Sequence, residues 1–212
     1  MTKERLPSSP LGSTHRSSGF TASEAAVVRA TFAFLRNGDL PTVSELARSS
    51  NVSPRGADLI IADFVRSGRA QIDDGGHVFG IAGLTAEPSK HRLSIEGVPL
   101  FTWCAFDAIG IPAALAVDAI AVTTCRGCAA TIEIEMTRGR VPESAPHVGW
   151  LPLLDTCTNV RSEFCPEANL FCNEAHLETW RIAAGMPDGM AMDLESLNEF
   201  GRSPGCWGPL AP

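Results

Sequence analysis

Three predicted helices and one hairpin turn follow each other in the first part of this chain, and together they restrict how it can fold. Residues 22–37 place apolar side chains at helical spacing and stop at a glycine. Thr42 and Glu45 form a T-x-x-E capping box, and Ser53 followed by Pro54 starts a third helix. The next segment, RAQIDDGGHVFGI, predicts two strands around an Asp-Asp-Gly-Gly turn. Three helices followed by a hairpin form the pattern of a winged helix.

The charge of this region argues against DNA binding, the usual function of a winged helix. Residues 21–85 contain six Arg and no Lys against seven Asp or Glu, and the whole chain carries a formal net charge of −7. The presumptive recognition helix, residues 54–67, balances its arginines against Asp58 and Asp63. A protein that binds phosphates normally presents a positive surplus. We therefore expect no nucleic-acid partner, and a packing module of the same topology is the alternative.

The sequence after the hairpin predicts a mixed domain. Residues 86–99 are polar and predict a connection, whereas Pro99 is placed to open a helix and Pro112 to end it. The segments DAIAVTT and ATIEIEMT alternate in polarity and predict two strands joined by a CRGC turn. HVGWLPLLD predicts another strand, a helix is expected near 174–184, and the tail from Gly201 is expected to be irregular. The expected fold class is α+β with an antiparallel sheet.

The expected organisation is a disordered arm at 1–20, a winged-helix-like domain at 21–85 and the mixed domain at 86–212. The first twenty residues are rich in Ser, Pro and Gly and lack the apolar region of a signal peptide. No run of eighteen apolar residues occurs, so we expect no membrane span and a cytoplasmic location. All seven cysteines follow residue 103. In that compartment they are more often free, catalytic or metal-binding than disulfide-bonded.

The stretch LFTWCAFDAIGIP places Cys104 and Asp107 inside an otherwise apolar run. At positions i and i+3 of a helix the two side chains share one face, roughly 5–6 Å apart at Cβ. Burial raises the pKa of both a thiol and a carboxyl group, so the pair can hold a proton near neutral pH. The alternative from spacing alone is a small hydrophobic cysteine beside a surface aspartate.

A C-x-x-C motif at Cys125 and Cys128 leaves several interpretations open. A structural zinc site would need two more ligands. No second C-x-x-C motif occurs, and the motif lies between two predicted strands rather than at the strand-to-helix junction of a thioredoxin-type site. A turn with a buried thiol is the alternative. The remaining candidate zinc ligands are Cys157, Cys165, Cys172 and His176.

Two further cysteines flank the segment PEANLF. Cys165 precedes Pro166, which predicts an extended backbone at the cysteine and places its thiol at the edge of an element. His176 follows Cys172 by four residues, a spacing compatible with a Cys/His nucleophilic dyad but not diagnostic of one. The usual markers of hydrolases and nucleotide enzymes do not occur in the sequence.

These cysteine segments resemble those of the bacterial organomercurial (alkylmercury) lyases, the MerB family. LFTWCAFDAIGIPAAL resembles the catalytic segment of that family, which reads Trp-Cys-Ala-x-Asp followed by an apolar run and a proline. SEFCPEANLFCNEAHLETW resembles its second cysteine segment, in which a Phe-Cys pair precedes a short strand and a later acidic-x-Trp. The winged N-terminal region fits the family's architecture as well. The resemblance covers roughly residues 22–200.

The resemblance implies a role for three residues. Cys104 and Cys165 would be the two mercury-binding thiols, and Asp107 would be the carboxyl group that moves the proton. Cys125 falls near a family cysteine with a structural role. Trp103 and Phe106, with Ile109, would suit an apolar pocket for the alkyl or aryl group, although core packing is the alternative for each. Possible accessory thiols are Cys125, Cys128 and Cys172.

The sequence departs from the family pattern after Cys165. The family commonly has a second cysteine directly after the matching position, whereas this chain has Pro166 there and Cys172 further on. Cys128 is additional, and PEANLF replaces a histidine-rich segment. These departures leave the trio intact but bear on the substrate pocket and the route of mercury release.

The expected function is protonolysis of the carbon–mercury bond to a hydrocarbon and Hg(II), as part of mercury detoxification. We expect no organic cofactor and Hg(II) as the bound product. The expected partners are an organomercurial, low-molecular-weight thiols and mercuric reductase, with no membrane. Two alternatives remain: a winged-helix regulator that binds metal through thiols, and a lyase-fold paralogue that acts on another organometal or an unrelated substrate.

Overall fold

The computed structural model describes residues 20–210, and it contains the three predicted N-terminal helices. The predicted capping box of Thr42 and Glu45 and the Ser53 cap are confirmed: Ser53 Oγ accepts the Gly56 N–H at 3.2 Å. Of the predicted disordered arm, all but Phe20 lies outside the described residues. The helices are α1 (Ala22–Arg36), α2 (Val43–Ser50) and α3 (Pro54–Arg66).

The predicted hairpin forms one edge of a seven-stranded antiparallel sheet. Strands β1 (Ala70–Ile72) and β2 (Val78–Ile81) pair as predicted, and β2 then pairs with β3 (Leu84–Thr85). The boundary expected after residue 85 therefore falls within a single sheet, whose order is β1-β2-β3-β5-β4-β6-β7. Its remaining strands are β4 (His91–Ile95), β5 (Val98–Thr102), β6 (Ala119–Thr124) and β7 (Thr131–Met136).

A smaller sheet and two helices follow β7 in the chain. The three strands of this sheet are antiparallel in the order β10-β8-β9. The predicted strand near HVGWLPLLD and the predicted helix near 174–184 are both confirmed, and the fold class is α+β. These elements are β8 (Val148–Pro152), β9 (Asn169–Phe171), α5 (Glu174–Ala183), β10 (Gly189–Asp193) and α6 (Leu194–Gly201).

Both proline-based predictions for the middle of the chain are wrong. Pro99 does not open a helix but lies in β5, opposite Ser94 of β4. The other neighbour of β5 is the two-residue strand β3, which pairs only with Phe101 and Thr102. Pro99 therefore lies beyond the end of β3, where the missing N–H removes no ladder bond.

The helix expected to end at Pro112 continues past it. Helix α4 (Ala105–Leu115) contains Pro112 and ends at Ala116, whose backbone is left-handed with φ 54°. Residues 105–114 are all buried, and this burial holds the helix through the proline. A helix that is apolar on every side belongs in a protein core.

The predicted polar connection at 86–99 is also wrong, because it contains all of β4 and the start of β5. His91, Leu93 and Ile95 face the interior, whereas Arg92 is exposed. His91 faces inward and Arg92 faces outward, but both are polar, so the start of this strand does not alternate between apolar and polar residues. His91 is satisfied by a partner from the neighbouring strand, since its Nδ1 lies 2.6 Å from Thr123 Oγ1.

Helices α4 and α6 pack closely because two glycines meet at their crossing. A Cβ atom on Gly201 would overlap the Gly110 backbone, and one on Gly110 would overlap the Trp207 ring. Past the end of α6, Arg202 donates from Nε to the Ala113 carbonyl at 2.9 Å. The chain after Gly201, expected to be irregular, forms turns, one bend and the short 3-10 turn Gly208–Leu210 within the described residues.

Among residues 20–210, no helix combines the length and the apolar character that a membrane crossing requires.

The Gly110→Ala substitution should destabilise the protein by about 1–3 kcal/mol, because the added methyl group must displace the Trp207 ring from the α4–α6 contact. Urea unfolding measures this loss. The control is Ser49→Ala on the exposed side of α2, which should leave the free energy of unfolding nearly unchanged. Equal stability of Gly110→Ala and wild type would contradict the close packing of these helices.

Candidate functional site

Cys104 and Asp107 meet at the start of α4. Cys104 is the N-cap residue, with extended backbone, and its N–H donates to Asp107 Oδ2 at 2.8 Å. The two residues therefore do not share the face of a continuous helix, as the spacing suggested, but form the first turn with the carboxyl group folded back over the cap. The aspartate is buried at 5% exposure, so the alternative of a surface aspartate is wrong.

Cys165 arrives from a distant turn. A short π-helical segment, Val160–Phe164, precedes it, and the Cys165 N–H donates to the Val160 carbonyl at 2.9 Å. The extended backbone expected before Pro166 is wrong, because Cys165 has helical angles of φ −58° and ψ −37°. The bond to Val160 and those made by the residues after Pro166 to the Phe164 carbonyl override the local preference of a pre-proline residue.

The N-terminal region anchors this turn. The Val160 N–H donates to the Ser67 carbonyl at 3.0 Å, just past the end of α3. Gly68, with φ 69°, lies so close to Asn159 that a Cβ atom there would overlap the Asn159 side chain. The winged-helix region therefore packs directly against the segment that carries Cys165.

The structure brings the three predicted residues together. The two Sγ atoms and one carboxylate oxygen of Cys104, Asp107 and Cys165 all lie within 4.8 Å of one another, and all three residues are buried. We call this group the buried trio. Cys104 therefore lies beside both the Asp107 carboxyl group and the Cys165 thiol, and its backbone N–H donates to the carboxyl group.

Burial sets the protonation of the trio. Removal from water raises the pKa of Asp107 to about 7, although hydrogen bonds from the Cys104 side chain and from the Cys104 and Trp103 backbone N–H groups oppose this rise. Burial, followed by the hydrogen bond with Cys165 and the nearby carboxyl group, raises the pKa of the Cys104 thiol as well. The trio therefore retains a transferable proton at neutral pH.

Gly83 completes the enclosure of Asp107 and was missed from the sequence. Its φ is +98°, and a Cβ atom there would lie 2.6 Å from Asp107 Oδ1. The Gly83 carbonyl accepts the Trp103 N–H at 3.0 Å, which joins the β2–β3 turn to the start of α4. The available signal was an isolated glycine between apolar strand residues, a mark of close backbone approach.

A cleft of about 260 Å³ leads to Cys165. Trp103 lines it, as predicted for the pocket, whereas Phe106 is not among its lining residues. Phe106 lies in the core, with ring centroids 5.8 Å from Phe200 and 5.0 Å from Trp207. The lining includes Thr85, Glu87, His91, Trp103, Arg161, Cys165 and Pro166.

Polar partners hold the Trp103 ring at the cleft. Its Nε1 donates to Gln71 Oε1 at 2.6 Å, and the Arg161 guanidinium lies 5.4 Å from the ring centroid. Gln71 in turn donates to Glu87 Oε2 at 2.6 Å. Neither Gln71 nor Arg161 was expected from the sequence, because nothing local marks a glutamine in a strand or an arginine in a turn as a partner of Trp103.

The expected accessory thiols meet one another rather than the buried trio. The ligating atoms of Cys125, Cys128, Cys172 and His176 lie within 4.8 Å of one another. Four residues outside the C-x-x-C motif were candidate zinc ligands. Two of them, Cys172 and His176, lie next to the two cysteines of the motif. Burial raises the pKa of Cys125, but the N–H groups of Cys172, Cys128 and Gly127 outweigh it and bring that pKa to about 6.

Comparison with known proteins gives one consistent family. The family model described as "MerB: Alkylmercury lyase" matches residues 84–204. The alkylmercury lyase of Staphylococcus epidermidis is 27% identical over 134 residues, which is 62% of this chain and 61% of that protein, less than two thirds of its length. The alkylmercury lyase of Streptomyces lividans is 24% identical over 199 residues, 89% of this chain and 91% of that protein.

A solved structure shares the fold. The crystal structure of the mercury-bound form of MerB2 superimposes with a TM-score of 0.76 at 20% sequence identity. The match covers 88% of this chain and 91% of the other.

Substitution of Asp107 should change how stability depends on pH. Because the carboxyl pKa rises from 3.8 to about 7 on folding, the folded state binds this proton more tightly, and its stabilising effect is lost as pH rises through about 7. From pH 4 to 8, wild type should lose about 4 kcal/mol of unfolding free energy relative to Asp107→Asn. Urea unfolding at several pH values measures the difference.

The control for that series is Asp74→Asn, which removes an exposed carboxyl group from the hairpin turn. Its stability should follow the wild-type pH dependence. Parallel curves for wild type and Asp107→Asn would mean that the aspartate is already ionised in the folded protein at pH 4.

Proposed function

This chain belongs to the alkylmercury lyase family, and we propose that it cleaves the carbon–mercury bond of alkyl and aryl mercurials by protonolysis, giving a hydrocarbon and Hg(II). The observation that carries the proposal is the buried trio, in which two thiols and a carboxyl group converge within 4.8 Å. The cleft of about 260 Å³ that reaches Cys165 offers a route for a small organomercurial.

The chemistry of the trio suits this reaction. Mercury is a soft metal, and thiolates are the soft ligands that proteins provide. Two thiolates on mercury increase the electron density at the attached carbon, and a neighbouring acid can then deliver a proton to that carbon. A dry site strengthens these electrostatic effects and keeps bulk water away from the proton donor.

In this proposal, Cys165 is the first residue to bind the mercury of the substrate. Cys165 lines the cleft, whereas Cys104 lies behind it with no exposed surface. The Cys165 thiolate displaces the small thiol that carries R–Hg, so that one Hg–S bond breaks and another forms. The substrate is then R–Hg–S(Cys165), with its mercury facing Cys104.

Proton transfer follows within the trio. The Cys104 sulfur binds mercury as its proton passes, either through Asp107 or directly, to the substrate carbon. The Hg–C bond breaks and a C–H bond forms, which gives R–H and Hg(II) held by Cys104 and Cys165. Every atom comes from the substrate and the two thiols, so the proposed reaction involves no oxidant, reductant or organic cofactor.

Release requires other thiols in this proposal. Two excess low-molecular-weight thiols exchange with Cys104 and Cys165 and remove Hg(II), or mercuric reductase accepts it directly. Pro166 stands beside Cys165 at the cleft, so no adjacent cysteine can assist the exchange there. We place the reaction in the cytoplasm, where thiols are kept reduced.

The regulator alternative gains no support from the N-terminal helices. Arg66 of α3 forms an ion pair with Asp63 on the same helix, so that this arginine does not add an unpaired positive charge to the presumed DNA-binding face. Instead, this region contacts the site. Ser67 and Gly68 pack against the turn that carries Cys165. Gln71 accepts the hydrogen bond of the Trp103 ring. We infer that the winged-helix region serves as a packing module for the site.

Incubation with phenylmercury and excess thiol, with headspace detection of benzene, tests the activity. Cys104→Ala and Cys165→Ala should reduce benzene formation to the rate of thiol and buffer alone, because one mercury ligand is lost. Asp107→Asn should lower the rate by about 10²–10⁴-fold, the usual contribution of a general acid.

Cys157→Ala is the matched control, since Cys157 is a buried thiol outside the trio. It should retain activity near wild type. Full activity in the Cys104→Ala variant would overturn the proposed role of the trio. Absence of benzene from folded wild-type protein, with organotin cleavage instead, would support a paralogue with another substrate.

A further inference from the structure

The second cysteine cluster lies on two loops that the fold presses together. One is the CRGC turn between β6 and β7, and the other joins β9 to α5. Cys125 and Cys128 come from the first loop, Cys172 comes from the second, and His176 comes from the first turn of α5, which follows the second loop. We propose that these four residues bind one Zn²⁺ as a structural site, independent of the buried trio and of the proposed lyase activity.

The distances between the ligand atoms fit a tetrahedral zinc ion. Bond lengths of about 2.3 Å to sulfur and 2.0–2.1 Å to nitrogen place two sulfurs about 3.8 Å apart, and a sulfur and a nitrogen about 3.6 Å apart. Cys128 Sγ and Cys172 Sγ are 3.8 Å apart, and Cys125 Sγ and His176 Nδ1 are 3.7 Å apart. Each of these pairs joins one residue of the first loop to one of the second.

The backbone of the CRGC turn is already folded around the Cys125 sulfur. The N–H groups of Gly127 and Cys128 point at Cys125 Sγ, and the Cys172 N–H lies 3.4 Å from the same atom. Backbone N–H groups directed at a thiolate stabilise its charge, as outer partners do around metal ligands. The turn closes with Ala129 N–H donating to the Cys125 carbonyl at 2.9 Å.

The other loop holds its two ligands at the start of a helix. Asn173 is the N-cap of α5, and its Oδ1 accepts the His176 N–H at 3.0 Å. Cys172 and His176 therefore flank one helical turn with fixed geometry. Gly127 allows the two loops to approach, because a Cβ atom there would lie 2.7 Å from the His176 carbonyl oxygen.

The donor set favours zinc as the resident ion. Three cysteines and one histidine form one of the common sets of structural zinc sites, and four protein ligands leave no position open for substrate. Cys125 is buried, Cys128 is exposed, and Cys172 and His176 are half-buried, so the ion can enter from one side. By contrast, the buried trio has only two thiols and a carboxyl group.

A zinc ion here would tie the end of β9 to the CRGC turn. β9 connects the Cys165 turn to Cys172, and the Arg126 N–H donates to the Leu170 carbonyl at 3.0 Å. One end of this segment thus carries a catalytic candidate, and the other end carries zinc ligands. The role of the ion is therefore to hold β9 in place.

Zinc content of the full chain tests the proposal. Protein expressed with added Zn²⁺ and purified with a reductant but no chelator should contain one zinc per chain by mass spectrometry of the metal. Cys128→Ser/Cys172→Ser should fall to roughly one tenth of that content or less, because two of four ligands are lost. Cys104→Ser/Cys165→Ser and Cys157→Ala should keep one zinc per chain.

Cobalt substitution gives a readout that needs no variant. Wild-type protein loaded with Co²⁺ should show the intense visible bands of tetrahedral cobalt with thiolate ligands, and Zn²⁺ should remove them. A chelator should lower the melting temperature of the wild type but not that of the Cys128→Ser/Cys172→Ser variant, because an ion bound only to the folded state stabilises it.

Three results would overturn the proposal. Zinc lost with the Cys104 and Cys165 substitutions would place the metal in the buried trio instead. Purified wild type without zinc, and with no cobalt spectrum, would leave the cluster as free thiols. A Cys128–Cys172 disulfide in the protein as isolated, found by peptide mapping without reductant, would mean that the pair is a redox site.

Discussion

The hydrogen bond from the Cys104 N–H to the buried Asp107 carboxyl group is the contact on which the arrangement of the site depends. It starts α4, and it holds a carboxyl group that is buried at 5% exposure. A buried charge is costly, so the environment favours the protonated form. Gly83 maintains this condition, because its lack of a side chain lets the β2–β3 turn close over the carboxyl group. The Asp107 carboxyl group thus caps α4 and is also the group whose burial favours a bound proton.

The rest of the fold places a second thiol against this cap. Helix α4 packs on β4, β5 and β6 of the large sheet and against α6 and β9 on its other sides. The Cys165 turn reaches the N-terminus of α4 because it is attached to the end of α3 through the Val160–Ser67 bond. The N-terminal helices therefore contribute to the site by position, although they supply none of the trio. This attachment ties the three N-terminal helices to the segment that carries Cys165.

The two cysteine clusters differ in solvation, and this difference separates their proposed roles. The buried trio is dry, has two thiols and retains a proton, which suits a transient soft metal and a proton transfer. The other cluster has three thiols and a histidine, is partly exposed and has N–H groups directed at one sulfur. It suits a permanent ion. Cys172 of this cluster and Cys165 of the trio are joined by β9, so that one short strand links both.

The sequence by itself determined the local elements and singled out the three candidate site residues that the fold brings together. Capping residues and turn glycines predicted α1–α3 and the hairpin, and alternation predicted β6 and β7, because these signals act within a few residues. The resemblance named the trio before any geometry was known. Tertiary structure decided the rest. Only pairing with a two-residue strand made Pro99 acceptable in β5, and only complete burial carried α4 through Pro112. Which cysteines meet depends on contacts between distant segments, and no local spacing in the chain encodes those contacts.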